Sequence, residues 1–277
     1  MKRLAVSILV VCALAACRPE APAQPGASAV AGAEAPTPQA GTAPEPVVLE
    51  DVVETDPRYI IGITWPDGVD RYPGLAVLLK DYADAACAEV LEAVEALEPG
   101  TTAMYDLALE FRVVADTPQV FAVAADGGSY TGGAHGTPLI ARFVWLPQEN
   151  RLLTPADLVA DADAWRDVSS YVREQLHAAL SQRVDADDLE PEERARVLRS
   201  ATRMIEEGTA PEPDNFAQFE PVMGADGSVV ALRFVFPPYQ VGPYSDGVQT
   251  VEVPTAVLLP HVATAYRPLF SRSVAAQ

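Results

Sequence analysis

Residues 105–113 have the sequence YDLALEFRV, which is the clearest strand pattern in the chain. Apolar residues alternate with polar or small ones, and this period of two predicts a β-strand with one buried and one solvated face. A second predicted strand, residues 119–125, follows Thr117-Pro118, so the two strands are expected to pair as an antiparallel hairpin. A glycine-rich loop at 126–136 then leads to a third predicted strand at 139–145.

Helical patterns occupy other parts of the chain. Apolar residues at helical spacing predict a helix over 75–97, ended by Pro99-Gly100. Cys87 lies on its apolar stripe and is interpreted as a small buried hydrophobe rather than a reactive thiol. Thr154-Pro155 is a favourable helix start. Two further apolar stripes follow it: Trp165, Val168, Val172, Leu176 and Ala179, then Val197, Leu198, Ala201, Met204 and Ile205.

Strands return towards the end of the chain. Residues 216–223 and 229–236 flank Asp226-Gly227, a dipeptide typical of hairpin turns. Strands at 59–65 and 249–253 complete the set. The side chains expected on the buried face of 229–236 are Val230, Leu232, Phe234 and Phe236. Because strands cluster at both ends with helices between them, the predicted fold class is α+β, with two adjoining modules, largely antiparallel sheets and packed helices.

The first residues are typical of an export signal. After a basic start, Leu4 to Ala16 form an apolar run that is shorter than the roughly 20 residues of a membrane span. The end of this run, Leu14-Ala15-Ala16-Cys17, resembles the bacterial lipobox, in which cleavage precedes the cysteine and the thiol is acylated. We therefore expect a lipoprotein signal peptide at 1–16 and a lipid on Cys17. Ordinary cleavage without acylation is the alternative.

A tether is expected to separate the lipid from the folded modules. Ala, Pro and Gly make up 19 of the 33 residues from Arg18 to Glu50. Such a segment buries too little apolar surface to offset its ordering entropy, so residues 17–50 are predicted to be a disordered Ala/Pro-rich tether. The two folded modules are predicted at 51–137 and 138–270.

The charge of the chain excludes one class of partner. Asp and Glu number 39 against 19 Lys and Arg, which gives a formal net charge of −20. Loss of Lys2 and Arg3 with the signal would take this charge to −22. A surface this acidic repels phosphate backbones, and we therefore expect no nucleic-acid partner. It could attract cationic partners, although the charge could also serve solubility alone.

Residues 127–136, GGSYTGGAHG, supply the first candidate site. They match neither a nucleophile elbow nor a dinucleotide or phosphate-binding loop. The glycines permit close backbone approach by a ligand, and the binding candidates here are Tyr130, Gly132, Gly133 and His135. Alternatively, the imidazole of His135 holds the shape of the loop through hydrogen bonds.

The second candidate is the stiff aromatic loop at 236–247, FPPYQVGPYSDG. Tyr239 and Tyr244 are candidate contact residues because rigid aromatic side chains lose little entropy on docking, and Asp246 is grouped with them. The alternative is that the tyrosine rings attach this loop to the sheet. No metal-binding His or Cys spacing occurs and no catalytic carboxylate pair can be nominated, so we expect no catalytic residues, no metal and no cofactor.

Two blocks of sequence resemble the extracytoplasmic region shared by RsiV-type anti-sigma factors and PdaC-type peptidoglycan deacetylases. The first is YTGGAHG at 130–136 with LLTPADL at 152–158. The second is FVFPPYQVGPYSDG at 234–247 with VEVP at 251–254. The resemblance covers about residues 55–265. It implies two α+β domains of unknown function, DUF4163-like in the first module and DUF3298-like in the second.

The resemblance also implies a function. RsiV-type members recognise lysozyme, whereas the catalytic members carry their chemistry in a separate deacetylase domain whose motifs are missing here. We therefore expect a non-catalytic recognition module whose partner is either a lysozyme-like cationic protein or peptidoglycan. Because Arg18 rather than Asp follows Cys17, the resemblance to bacterial lipoproteins implies a lipid anchor at the periplasmic face of the outer membrane. Two alternatives stay open: a wall-glycan hydrolase or deacetylase that uses His135, and a structural envelope protein without a ligand.

Overall fold

Two β-sheets with packed helices account for the residues that the structure, a computed structural model, describes: 47–187 and 189–270. This architecture confirms the predicted α+β class. The signal peptide, Cys17 and residues 17–46 of the predicted tether lie outside the described residues. Within the described ranges, none of the helices is both long and apolar enough to cross a membrane.

The first sheet contains six strands in sequence order: β1 (Val52–Asp56), β2 (Tyr59–Thr64), β3 (Tyr105–Asp116), β4 (Phe121–Tyr130), β5 (Thr137–Leu146) and β6 (Arg151–Leu152). Its neighbouring strands are antiparallel except for β2 and β3, which are parallel. Helix α1 (Pro73–Glu95) makes the crossover that a parallel pair requires. The sequence pattern predicted this helix within two residues at each end.

The second sheet has the order β7 (Phe219–Met223), β8 (Val229–Phe236) and β9 (Gln249–Pro254), and is antiparallel throughout. Between the sheets in sequence lie α2 (Pro155–Leu158), α3 (Trp165–Ala186) and α4 (Pro191–Gly208), and α5 (Thr255–Leu258) follows β9. Short 3₁₀ turns occur at Val69–Arg71, Pro213–Phe216, Tyr244–Asp246 and Arg267–Leu269.

The buried apolar side chains of the described residues form two hydrophobic cores. In the first, α1 covers the face of β3 that carries Leu107, Leu109 and Phe111. Cys87 is half-buried there, and burial raises the pKa of its thiol, which agrees with a hydrophobic role. In the second, α3 contributes Trp165, whose ring stacks on Phe216 with centroids 5.0 Å apart.

The sheets do not divide where the two modules were predicted to meet. Thr137 begins β5, which pairs with β4 and so belongs to the first sheet. The second core also includes first-sheet residues, among them Ala122 and Val144. At the other boundary, Val47 and Leu49 from the predicted tether pack against the first core. The division into two modules stays a prediction.

Strand β4 extends further than its sequence predicted. Residues 126–130 were expected in a loop, yet they pair with β3 and most of them also with β5, so the loop is only 131–136. A Cβ at Gly127 would lie 2.1 Å from the carbonyl oxygen of Ala108. These glycines therefore allow close strand approach, which a glycine-rich pattern does not distinguish from a loop.

Several side chains predicted to be buried are exposed, among them Val113 on β3 and the two described next. The register of β7 and β8 passes from Val222–Ala231 to Met223–Val229, so Val230 is the extra residue of a β-bulge and turns to solvent. On α3, Ala179 is exposed and Leu180 is buried instead. In both cases the predicted strand or helix is present, but its pattern of buried side chains is slightly shifted from the prediction.

A buried ion pair joins the two sheets. The side chain of Glu220 on β7 is only 3% exposed and that of Arg142 on β5 is 5% exposed. Their Oε2 and Nε atoms lie 2.9 Å apart but are not aligned as a hydrogen bond, so the attraction is mainly electrostatic. Arg233 on β8 donates a 2.7 Å hydrogen bond to Glu220 Oε1, and Asp126 on β4 lies 2.8 Å from Arg142.

Replacing Glu220 with alanine should destabilise the protein by about 3–5 kcal/mol, because the buried charge of Arg142 would lose its buried partner and keep only Asp126, which is 40% exposed. Chemical denaturation measures this loss. The matched control is Glu252→Ala, which also removes a partner of Arg233 but at a half-exposed site, where the cost should be about 0–1 kcal/mol. Equal losses for the two variants would contradict the assignment.

The corner between β6 and α2 has its own polar contacts. Thr154 caps α2, with Pro155 as its first residue, as the sequence predicted, and Thr154 also forms a capping box with Asp157. The hydrogen bond from the Thr154 hydroxyl, reinforced by Arg151, lowers the pKa of Asp157 below its ordinary value. The carboxylate therefore stabilises the folded state only while it is ionised.

Asp157→Asn should lower stability at pH 7. The contribution of the carboxylate is present above its unfolded pKa of about 3.9 and is lost as the pH falls through the lower folded pKa. The stability difference between wild type and variant should therefore shrink from pH 7 to pH 3 in urea unfolding. Glu89→Gln on the exposed side of α1 is the control. A difference independent of pH would contradict this account.

Candidate functional site

Three of the side chains predicted for the site come together on the surface. We call His135, Tyr239 and Tyr244 the aromatic cluster. His135 stacks on Tyr244 with ring centroids 4.0 Å apart and an interplanar angle of 18°, and its Nε2 lies 2.8 Å from the Tyr239 hydroxyl. The two tyrosine rings are 5.8 Å apart. The cluster thus links the β4–β5 turn of the first sheet to the β8–β9 connection of the second.

The β4–β5 turn is shaped by its glycines. Gly132 and Gly133 have φ angles of +103° and +94°, which other L-residues rarely adopt. The Tyr130 hydroxyl donates a 3.2 Å hydrogen bond to the carbonyl of Gly133, which ties the turn to the end of β4. These contacts present His135 to solvent at the tip. The structure therefore gives Gly132 and Gly133 a role in shaping the turn, whereas their contact with a ligand stays a prediction.

The loop carrying Tyr239 is fixed at its base. Tyr239 has a φ of +74°, a left-handed conformation that costs a non-glycine residue roughly 1–2 kcal/mol. Its N–H donates a 2.9 Å hydrogen bond to Gly242, and the Gln240 side chain donates to the carbonyls of Gly208 and Asn215 at 3.0 and 2.8 Å. The surroundings thus maintain a strained residue whose side chain is 54% exposed.

Asp246 is held apart from the aromatic cluster by an ion pair. Its Oδ2 accepts a 2.7 Å hydrogen bond from Arg183 Nη2 on α3, and its side chain is 16% exposed. This contact gives Asp246 a structural role in anchoring the 3₁₀ turn that carries Tyr244. Its predicted role in ligand binding stays a prediction.

A shallow groove adjoins the cluster, and we call it the tyrosine groove. It has a volume of about 430 Å³ and is lined by Asp106, Ala108, Gly127, Gly128, Ser129, Tyr130, Gly136, Thr137, Pro138 and Tyr244. Tyr244 therefore belongs to both features, whereas His135 and Tyr239 do not line the groove. Sequence reasoning missed Asp106, Ala108 and Pro138. Strand alternation placed Asp106 and Ala108 on the solvated face. Their position beside Tyr130 depends on the register between β3 and β4, which the sequence of one strand does not determine.

The imidazole of His135 is engaged at both nitrogens. Nδ1 lies 3.0 Å from the carbonyl oxygen of Gly136, and Nε2 contacts Tyr239. If Nδ1 carries the proton and donates to the carbonyl, Nε2 accepts from the tyrosine hydroxyl. His135 therefore hydrogen-bonds its own loop, as one interpretation of the sequence proposed, and it also contacts the loop that carries Tyr239. Among the described residues, no group of three or more His, Cys, Asp or Glu side chains is placed to hold a metal ion.

The fold and site can be compared with known proteins. Residues 156–256, which run from α2 into α5, match the family described as "Protein of unknown function (DUF3298)". A DUF3298 domain is therefore detected in this part of the chain, and it contains Tyr239, Tyr244 and Asp246. His135 and Tyr130 precede it. The predicted likeness of the first module to DUF4163 stays a prediction.

Two solved structures of DUF3298 family proteins are similar to this chain. The protein from Bacteroides fragilis NCTC 9343 is 15% identical, with 78% of this chain and 93% of that chain covered and a TM-score of 0.49. The protein from Pseudomonas aeruginosa PAO1 is also 15% identical, with 80% and 95% covered and a TM-score of 0.48. A comparison with curated proteins gives no match.

The bond between His135 and Tyr239 should show as an energetic coupling. In a double-mutant cycle, Tyr239→Phe and His135→Ala should together cost about 0.5–1.5 kcal/mol less than the sum of the single losses, because each removes the same hydrogen bond. Denaturant unfolding of the four proteins measures this. A parallel cycle with His177→Ala, on α3, should be additive. Additivity for both cycles would show that the contact is absent in solution.

Proposed function

We propose that this chain is a lipid-anchored envelope protein whose folded part is a non-catalytic recognition module for a lysozyme-like cationic protein. The observation that carries the proposal is the aromatic cluster, in which side chains 104 residues apart in sequence form one exposed surface. The lipid anchor, envelope location and class of partner rest on the sequence of residues 1–17 and on the family resemblance.

The cluster has properties of a protein-contact surface. Tyrosine rings supply large contact areas with few rotatable bonds, so little entropy is lost on docking. The hydrogen bond and stacking to His135 hold both rings before any partner arrives. Such preorganisation lowers the cost of binding.

The charge of the module suits a basic partner. Asp106 lines the groove that adjoins the cluster, and the whole chain carries a net charge of −20. A field of this sign speeds the encounter with a cationic protein and makes the association sensitive to salt.

The contacts of the candidate residues favour binding over catalysis. Both ring nitrogens of His135 are used within the protein, and the carboxylate of Asp246 is paired with Arg183. A general base needs free access to the proton that it removes from substrate. These contacts therefore support the non-catalytic proposal over the alternative in which His135 acts on wall glycan.

Binding of the purified full-length chain to lysozyme tests the proposal. We expect a complex at low ionic strength that weakens about tenfold or more at 150 mM salt, because surface charges are screened within about 8 Å there. Tyr239→Ala and His135→Ala should each weaken the complex about tenfold, equivalent to about 1.4 kcal/mol.

The matched control is His177→Ala, which removes an imidazole from α3 and should leave the affinity within twofold. Surface plasmon resonance with the lipid end captured measures all four proteins. Absence of binding at low salt would refute the choice of lysozyme-like partner. Equal affinity for all variants would refute the aromatic cluster as the contact surface.

A further inference from the structure

The tyrosine groove lies on the part of the first sheet that the second sheet leaves open. Register places Ala108, Gly128 and Pro138 side by side across β3, β4 and β5. With no side chain at Gly128 and a single methyl at Ala108, the floor between the two tyrosines stays low. A flat ligand can therefore reach the sheet surface here.

Two preorganised aromatic rings border this floor. Tyr130 is held by its hydrogen bond to the carbonyl of Gly133, and Tyr244 is held by stacking on His135. One face of the Tyr244 ring is covered by His135, so the part that lines the groove is the part the imidazole leaves free. Electron-rich ring faces attract the polarised C–H groups of a ligand as well as excluding water.

The polar groups of the groove select the charge of its ligand. Asp106 is an exposed carboxylate on the groove wall. The carboxylate repels phosphate and other anions, and it accepts strong hydrogen bonds from hydroxyl donors. The ligand that fits has an apolar face, several hydroxyl groups and no negative charge.

We propose that the tyrosine groove binds a neutral saccharide, with a sugar ring against Tyr130 and Tyr244 and its hydroxyl groups donating to Asp106. An extended peptide is less suited on the groove floor, because β3 and β4 are each paired with a strand on both sides there and offer no free backbone edge for strand addition. The proposal goes beyond recognition of a cationic protein and does not depend on it, since the saccharide and the protein partner are tested separately.

Titration of the full-length chain with tri-N-acetylchitotriose, followed by isothermal calorimetry and by NMR of the tyrosine resonances, tests this site. We expect saturable binding with shifts confined to Tyr130 and Tyr244. Tyr130→Ala should weaken binding tenfold or more. Ala108→Leu, at an exposed position of β3, should do the same by filling the floor, and it preserves both tyrosines should Tyr130→Ala perturb folding.

The matched control is Ala85→Leu on the exposed side of α1, which makes the same substitution away from the groove and should bind within twofold of wild type. Absence of saturable binding, or equal affinity in Ala108→Leu, would overturn the proposal. A proline-rich peptide that binds the groove more tightly than the sugar and displaces it would also overturn the proposal. Because lysozyme is absent from this titration, its outcome is independent of the protein-partner experiment.

Discussion

The buried carboxylate of Glu220 is the constraint on which the arrangement of the two sheets depends. A charge removed from water must be paired, and Glu220 is paired with Arg142 from the other sheet and Arg233 from its own. Hydrogen bonds to Glu252 and, next, to Glu220 raise the pKa of Arg233, so that partner stays charged. The network fixes β7 against β5, and the loops that leave these sheets meet in one relative position as a result.

Much of the fold follows from periodicity. The alternation along β3 and the apolar stripe of α1 predict the elements that form the first core, and Asp226-Gly227 predicts the second hairpin. Periodicity does not predict local shifts in which side chains are buried, where a strand ends at glycines, or which strands pair. Val230 turns outward because one extra residue interrupts the ladder, and β4 continues through glycines that resemble a loop. The parallel pairing of β2 with β3 depends on where α1 packs, which neither strand encodes alone.

The candidate site, too, was predicted from the sequence only in part. His135, Tyr239 and Tyr244 were identified separately, each from a loop whose composition is unusual. That His135 and Tyr239 would contact each other follows only from the packing of the sheets, because no spacing rule connects residues so distant in sequence. The groove residues Asp106 and Ala108 carry no individual signal, since an alternating strand needs polar and small side chains on its wet face whether or not a ligand binds there.

The attachment of the Tyr239 loop has a consequence for how the module could diversify. A Cβ at Gly208 would lie 2.0 Å from the carbonyl oxygen of Gln240, so the helical layer and the loop base touch without any intervening side chain. The base is thereby mounted on α4, while the ring above it is 54% exposed and contacts His135. Exchanging that outward residue leaves the mounting intact, so a single scaffold of this kind can present different surfaces to different ligands.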